Sequence, residues 1–291
     1  MQASSTTDLP PRSSRRNWLA TGLACALPPA WTRARSRALR FGLTPVFLDD
    51  RVRLLHLWAR YLENRLGTPI EFVQFSAYNQ VMDALRAGQL DFAWICGYPY
   101  VLHREELQLV SVPLWRGKPV YQSYLITDTS SAVASVEELR GRTFAYSDPL
   151  SNSGFLYVQH LLRNRQQDPS RYFSRSFFTY SHRHVVEAVA QGLAVAGAVD
   201  GYVWETLAEV LPDMTGNTRV LLRSPDFGFP PIVAPRGTAK PIVQRLAQAL
   251  QDMAGHAEGQ AVLRELRLDG FAAPQPGLFS SIAAMARAQK A

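Results

Sequence analysis

Apolar residues along the chain fall into two kinds of run. Short continuous ones at Leu39–Leu43 (LRFGL), 70–75 and 90–95 (LDFAWI) predict strands, the last with the pattern of a strand buried on both faces. Between them, positions 52, 54, 55, 58, 62 and 66 lie on one helical face that Gly67 ends. Ser76 is placed to cap a second helix over 77–87, which Gly88 ends. Strand, helix, strand, helix, strand is a pair of βαβ units and implies a parallel sheet. Further strands are expected at Leu107–Leu114 and 121–127. The small polar run 129–135 reads as a crossing into a second lobe, and Ser135 with Glu138 has the spacing of a capping box.

The pattern then repeats. A strand at Thr143–Tyr146, a helix running to 165, a strand at 174–179, a helix at 184–191 and a strand at 194–199 predict a second α/β lobe. The stretch AVAQGLAVAGAV at 188–199 echoes ALRAGQLDFAWI at 84–95: helix end, glycine, apolar strand. Residues 225–234 carry the chain back, and helices near 239–254, 257–267 and 277–290 finish it. The expected division is an export segment over 1–38, a first lobe of 39–127 plus 228–291, and a second lobe of 128–227. Ligands of open α/β sheets bind beyond the carboxyl ends of the strands, so the cleft is expected there, between the lobes.

Charge changes the picture at one end only. The formal net charge of the 291 residues is +7, but residues 1–40 hold seven Arg against the single acid Asp8 and contribute +6. The remaining 24 Lys/Arg against 23 Asp/Glu leave +1, so the body is nearly neutral and the basic total is no argument for nucleic acid. Ser14-Arg15-Arg16-Asn17-Trp18-Leu19 before a modest apolar core, the Pro28-Pro29 break and Ala34 or Ala38 reads as an export signal of twin-arginine type. The competing reading is a disordered basic tail. A transmembrane anchor needs about 18 apolar residues that no stretch supplies. Gly22 stands where a lipoprotein signal wants Leu, which argues against lipid attachment at Cys25. With Cys25 removed, Cys96 is alone and no internal disulfide forms even in an oxidising periplasm.

The stretch richest in chemistry is YSDPLSNSGFLY at 146–157. A short strand is broken by Pro149, and Ser151, Asn152, Ser153 and Gly154 precede an apolar run with helical spacing at Phe155, Val158, Leu161 and Leu162. Small polar residues at a strand-to-helix turn cap orphan amides, and those amides with the helix dipole form a site for an oxyanion. A lone serine there is usually only a cap. Three hydrogen-bonding side chains in a row, followed by a glycine that admits a ligand to the backbone, favour a site. The other predicted strand ends carry Thr44, Ser76–Tyr78, Cys96–Tyr98, Thr179–His182 and Asp200–Tyr202, polar and aromatic with few positive charges.

These residues resemble the periplasmic phosphonate/phosphate/phosphite-type solute-binding proteins of ABC transporters, from about Phe41 to Phe271. The most specific match is Asp148-Pro149-Leu150-Ser151-Asn152-Ser153-Gly154-Phe155, which is similar to the family's D-P-x-S-x-S-G-F turn. Tyr78 ahead of a helix, Asp91-Phe92-Ala93-Trp94, His182 after a strand, Asp200, Ser224-Pro225 and Pro230-Pro231-Ile232-Val233 support it. The resemblance implies a two-lobed type II periplasmic-binding-protein fold that closes on a small ligand. It implies no cofactor, a monomer in the periplasm, and an ABC transporter permease or sensor histidine kinase as client. Carried over, Ser151, Asn152 and Ser153 donate to the oxyanion, Tyr78 and His182 complete its shell, and Asp200 accepts from a protonated oxygen or a ligand amine. Cys96 and Tyr98 are candidate ligand-binding residues at the cleft mouth. Asn152 stands where Thr is familiar, and Cys96-Gly97-Tyr98 replaces the usual aromatic loop.

Bland readings stand beside these: Tyr78 as a half-buried helix-start aromatic, His182 and His184 as surface residues, Asp200 as a turn or cap residue before Gly201, and Cys96 as an inert buried thiol. Two other functions compete. One is an arsenite receptor using Cys96. The other is a cysteine-dependent hydrolase in which Cys96, His182 and Asp200 act as nucleophile, base and orienter. The histidines lack zinc-like spacing, which speaks against metal-dependent hydrolysis.

Overall fold

The computed structural model describes residues 37–45 and 52–290, so the export-segment reading of Arg15, Arg16 and Cys25 lies outside the described residues. The chain opens with β1 (Leu39–Leu43), α1 (Val52–Leu66), β2 (Ile70–Gln74), α2 (Tyr78–Arg86), β3 (Phe92–Trp94), α3 (Gly97–Leu102) and β4 (Leu107–Leu114). It continues through β5 (Val120–Tyr121), β6 (Ser123–Asp128), β7 (Thr143–Tyr146), α4 (Tyr157–Asn164), α5 (Pro169–Tyr172), β8 (Arg175–Phe178), α6 (His182–Ala190) and β9 (Ala196–Asp200). The last part comprises α7 (Gly201–Val210), α8 (Pro212–Thr215), β10 (Thr218–Arg223), β11 (Phe227–Gly228), β12 (Ile232–Pro235), α9 (Lys240–Gln251), α10 (Ala257–Leu266), β13 (Gly270–Ala272) and α11 (Ser280–Lys290).

Two sheets result, in the orders β13-β4-β12-β3-β1-β2 and β10-β6-β9-β7-β8. In the first, β1 runs parallel to β2 and β3, and β12 pairs antiparallel with β3. In the second, β7 runs parallel to β8 and β9, and β6 pairs antiparallel with β9. The same 2-1-3 order with an antiparallel neighbour occurs twice, so the internal repeat read from the sequence is a repeat of topology. Each sheet is covered by helices whose apolar stripes the periodicity predicts. In α1, Leu54, Leu55, Trp58, Tyr61, Leu62 and Leu66 are buried, and Trp58 meets the rings of Phe41, Phe72, Trp94 and Phe271. Each such side chain contributes about 1.5–3 kcal/mol on burial.

Several expectations need correction. The run 121–127 is two strands broken at Gln122, not one, and β6 belongs to the second sheet. The chain therefore changes lobes between β4 and β6, upstream of the expected boundary at 128. There β5 pairs antiparallel with β11, Tyr121 opposite Phe227, so that the outgoing and returning segments lie side by side. The run 129–135 is a turn of the second lobe, with Ser130 N–H donating to Asp128 Oδ1 at 2.7 Å. Ser76 does not cap α2: Ala77 holds the N-cap position, and Gln80 Oε1 instead accepts from Ser76 N–H at 3.1 Å. Finally, α3 and α7 occupy stretches to which the sequence pattern assigns no element. Pro99 is tolerated in the first turn of α3, where its missing N–H has no intrahelical partner to lose.

Candidate functional site

The carboxyl ends of β1, β3, β7 and β9 bring Thr44, Cys96, Asp148 and Asp200 to the gap between the sheets, the place where α/β sheets bind ligands. There lies a cavity of about 20 Å³. Its polar walls are Thr44, Tyr78, Cys96, His182 and Asp200, and its apolar walls include Trp94, Tyr202, Phe229 and Pro230. Among the described residues, no lysine or arginine lines it. A wider open cleft of about 700 Å³ lies along Ser76, Ala77, Tyr180, Ser181 and His184, residues that adjoin Tyr78 and His182 in the chain.

The proton positions in the cavity can be followed bond by bond. Asp200 N–H donates to His182 Nδ1 at 3.1 Å. Burial pushes His182 down to about 3, so the ring is neutral and carries its proton on Nε2. That nitrogen faces Tyr78 Oη at 3.2 Å across the gap between the lobes, leaving the Tyr78 O–H free to donate elsewhere. Asp200 Oδ1 accepts from the amides of Tyr202 (2.9 Å) and Val203 (3.3 Å), the first turn of α7. Asp200 is thus the helix cap of the bland reading as well as a wall of the cavity. Burial pushes its carboxyl up to about 7.

The turn ahead of α4 is held by the crossing segments. Asn152 Nδ2 donates to Tyr121 Oη at 3.0 Å, and Ser123 Oγ donates to Ser153 O at 2.6 Å. Leu156 N–H reaches back five residues to Ser151 O at 3.0 Å, a wide π-type turn of the kind often found at functional sites. Ser151 Oγ accepts from Gly154 N–H at 2.9 Å. Asn152 N–H donates across the lobes to Cys96 Sγ at 3.3 Å. Asp148 also bridges the lobes: Oδ1 accepts from Leu150 N–H in its own lobe (2.7 Å) and Oδ2 from Tyr78 N–H at the start of α2 (3.1 Å).

Of the residues singled out in the sequence, Tyr78, Cys96, His182 and Asp200 meet on one cavity wall. Ser151, Asn152 and Ser153 stand one layer behind, joined to that wall through Cys96 and the Ser151–Tyr78 pair. Tyr98 does not join them; its hydroxyl donates to Gln289 Oε1 on α11 at 3.3 Å. His182 is 2% exposed, so it is no surface residue, whereas His184 faces the open cleft. Tyr121, Trp94 and Phe229 were missed. Tyr121 and Phe229 pack ring to ring at 5.7 Å although 108 positions apart, a juxtaposition no local pattern encodes.

The geometry disposes of the hydrolase alternative. His182 turns one nitrogen to Tyr78 and the other to the Asp200 amide, and the Asp200 carboxyl is bonded to helix amides. Cys96 is bonded to Asn152 N–H and pushed up to about 11 by burial, so no base serves it. For arsenite, Cys96 is the one thiol among the described residues, and no group of three His, Cys, Asp or Glu among them is placed to hold a metal ion.

The opposed shifts of Asp200 and His182 predict a pH signature of stability. The unfolded Asp titrates near 4, so between about 4 and 7 the folded protein binds more protons at Asp200, and stability falls as pH rises through that window. For His182 the unfolded state binds more protons between about 3 and 6.5, and stability rises with pH there. The two offset each other until about pH 6.5, above which only the Asp200 cost is left. Asp200→Asn is therefore expected to melt above the wild type at about pH 8 and to lose that advantage toward pH 4. Equal differences at both pH values would show that ionisation of the carboxyl is not the cost.

The family model of ABC transporter, phosphonate, periplasmic substrate-binding proteins matches residues 41–277. The chain belongs to this family. The phosphate-import protein PhnD of Mycolicibacterium smegmatis is 32% identical over 105 residues, 34% of this chain and 32% of that protein, so the match spans about a third of the relative. A probable ABC transporter phosphite binding protein of Prochlorococcus marinus is 22% identical over 201 residues, 66% of this chain and 67% of that protein. Among solved structures, a binding protein component of an ABC phosphonate transporter from Pseudomonas aeruginosa superposes with a TM-score of 0.78 at 21% identity, covering 87% of this chain and 86% of that one. At that identity the agreement concerns the fold, which is the two-lobed α/β fold of type II periplasmic binding proteins. The family is one of exported transport proteins that bind small molecules. Among the described residues no helix is long and apolar enough to cross a membrane.

Proposed function

We propose that this protein captures a small phosphorus oxyanion (phosphonate, phosphite or phosphate) in the periplasm and passes it to a transporter permease, acting as a monomer without catalysing a reaction. One observation carries the reading. Of the four buried side-chain atoms without a hydrogen-bond partner among the described residues, three belong to the strand-to-helix turn: Ser147 Oγ, Asn152 Oδ1 and Ser153 Oγ. Buried polar groups are paired in native proteins unless a function needs them free. Here they cluster with a helix N-terminus, where anions bind.

The thiol of Cys96 acts as a stand-in acceptor. Sulfur is a weak acceptor, so Asn152 N–H exchanges it readily for a charged oxygen, to which hydrogen bonds are about twice as strong. The ligand enters between Tyr78, Cys96, His182 and Asp200, and the Tyr78 and Ser151 hydroxyls turn toward it. Calorimetric titration with methylphosphonate, phosphite, phosphate, sulfate and arsenite tests this. At least one phosphorus oxyanion should bind tightly, and Cys96→Ser should keep that affinity within about tenfold, as a serine hydroxyl can accept from the same amide in the thiol's place. Binding of arsenite alone, lost in Cys96→Ser, would overturn the reading in favour of a metalloid receptor.

A further inference from the structure

Closing a cleft buries backbone amides along with the ligand. The first amides of a helix have no intrahelical acceptor, and α2 begins at the cleft with Tyr78, which is buried. Ala77 holds the N-cap position in extended backbone and has no side chain that could accept. The acceptor comes from the opposite lobe: Asp148 Oδ2 takes the Tyr78 N–H at 3.1 Å.

Asp148 is fixed within its own lobe before it reaches across. Pro149 disfavours helical backbone for the residue ahead of it. Asp148 Oδ1 accepts from Leu150 N–H at 2.7 Å, and its carbonyl accepts from Ser151 N–H at 2.9 Å. One carboxyl oxygen therefore holds the side chain in place, as in an Asx-turn, and the other is presented to α2. The residue is 2% exposed and stands outside the cavity. Two other bonds join the lobes at the cleft, Asn152 to Cys96 and Tyr78 to His182, and both involve cavity residues whose partners a ligand competes for. The Asp148 bond lies beyond that competition and lasts through binding.

A mismatch is costly on both sides. If closure left Oδ2 short of the Tyr78 amide, a buried donor and a buried carboxyl oxygen would both lack a partner. The same residue carries its hydroxyl to 3.2 Å from His182 Nε2, so the register set at the Tyr78 amide is also the register of the cavity wall. Resting on the phosphorus-oxyanion reading above, we propose that Asp148 is the positioning residue of lobe closure: by capping α2 across the cleft it selects the register in which Tyr78 and His182 come together around the ligand. It touches no ligand atom and acts on how long the ligand is held.

Asp148→Ser tests this. A serine hydroxyl still accepts from Leu150 N–H but is too short to reach the Tyr78 amide. The variant is expected to bind methylphosphonate about tenfold more weakly. The loss should lie in faster dissociation, with association unchanged because the ligand enters before the lobes meet. In hydrogen exchange followed at single amides, saturating methylphosphonate should protect both Tyr78 and Asn152 in the wild type. In Asp148→Ser it should still protect Asn152 and leave Tyr78 exchanging freely, a pattern that a general loss of stability would not give. Wild-type affinity in the variant, or protection of its Tyr78 amide, overturns the proposal. Loss of protection at Asn152 as well overturns it too, by making Asp148 a support of the turn ahead of α4. If the variant does not fold, the wild-type complex decides: a freely exchanging Tyr78 amide overturns the proposal, and a protected one bears it out. Absence of any phosphorus-oxyanion binding by the wild type would instead remove the functional reading. Asp148 is then judged in the free proteins, where equal exchange of the Tyr78 amide in wild type and Asp148→Ser overturns its role.

Discussion

Gly154→Ala is expected to lower oxyanion affinity by more than about a hundredfold, equivalent to roughly 3 kcal/mol. An added Cβ would stand 1.8 Å from Ser147 Oγ, 2.7 Å from Ser147 Cβ and 3.1 Å from Ser151 Oγ. Gly154 is not among the glycines with positive φ, so space and not backbone conformation demands it. The neighbours cannot retreat cheaply. Ser147 N–H donates to Gly154 O at 3.4 Å, and Gly154 N–H donates to Ser151 Oγ at 2.9 Å, so pushing Ser147 away opens the turn that presents the amides. Overpacking of this kind costs about 1–3 kcal/mol of stability as well. Titration with methylphosphonate and thermal melts measure both effects. Ser147→Gly in the Gly154→Ala background removes the clashing side chain and should restore a large part of the affinity. No restoration would mean that the glycine serves something other than this contact.

The strands and helices with strong periodicity were legible because burial imposes it locally. The six buried residues of α1 recur at helical spacing along a single helix, and the buried run of β3 occupies consecutive positions. What was illegible depended on distant partners. β6 joins the second sheet because β9 and β10 flank it, their paired residues 69 or more positions away, and nothing within 123–128 states which sheet will take it. β5 and β11 are two residues each and exist only by pairing with one another. α7 was hidden by Asp200-Gly201, a pair that reads equally as a turn; only the two amides bonded to Asp200 Oδ1 reveal the cap.

The site was legible for a related reason. A helix N-terminus with small polar residues and a glycine is a local device, and so are residues at strand ends, which the order of strand and helix places near the cleft. Their orientation is not local. Tyr98 follows Cys96 by two positions on α3, yet it is turned to Gln289 because α11 packs against that helix. Conversely, Cys96 meets Asn152, and Tyr78 meets both Asp148 and His182, only because the two sheets approach each other.

Ser153→Ala and Ser151→Ala are expected to act alike on binding and oppositely on the free protein. Ser153 Oγ is buried near the Tyr121 hydroxyl without a hydrogen bond of good geometry among the described residues, so its desolvation is poorly compensated. Deleting such a group relieves about 1–3 kcal/mol, and Ser153→Ala should melt at or above the wild type without ligand. Ser151 Oγ accepts from Gly154 N–H and caps the turn, so Ser151→Ala should cost about 1 kcal/mol of stability. With ligand, each variant loses a hydrogen bond to a charged oxygen, about 1.5–3 kcal/mol, or roughly ten- to a hundredfold in affinity. Chemical denaturation of the free proteins and calorimetric titration with methylphosphonate separate the two effects. A Ser153→Ala protein that is less stable yet binds as tightly as the wild type would reduce that hydroxyl to part of the scaffold. One that gains stability while losing affinity would show that the fold keeps an unpaired polar group in its interior for its ligand, the trade between stability and function that binding sites make.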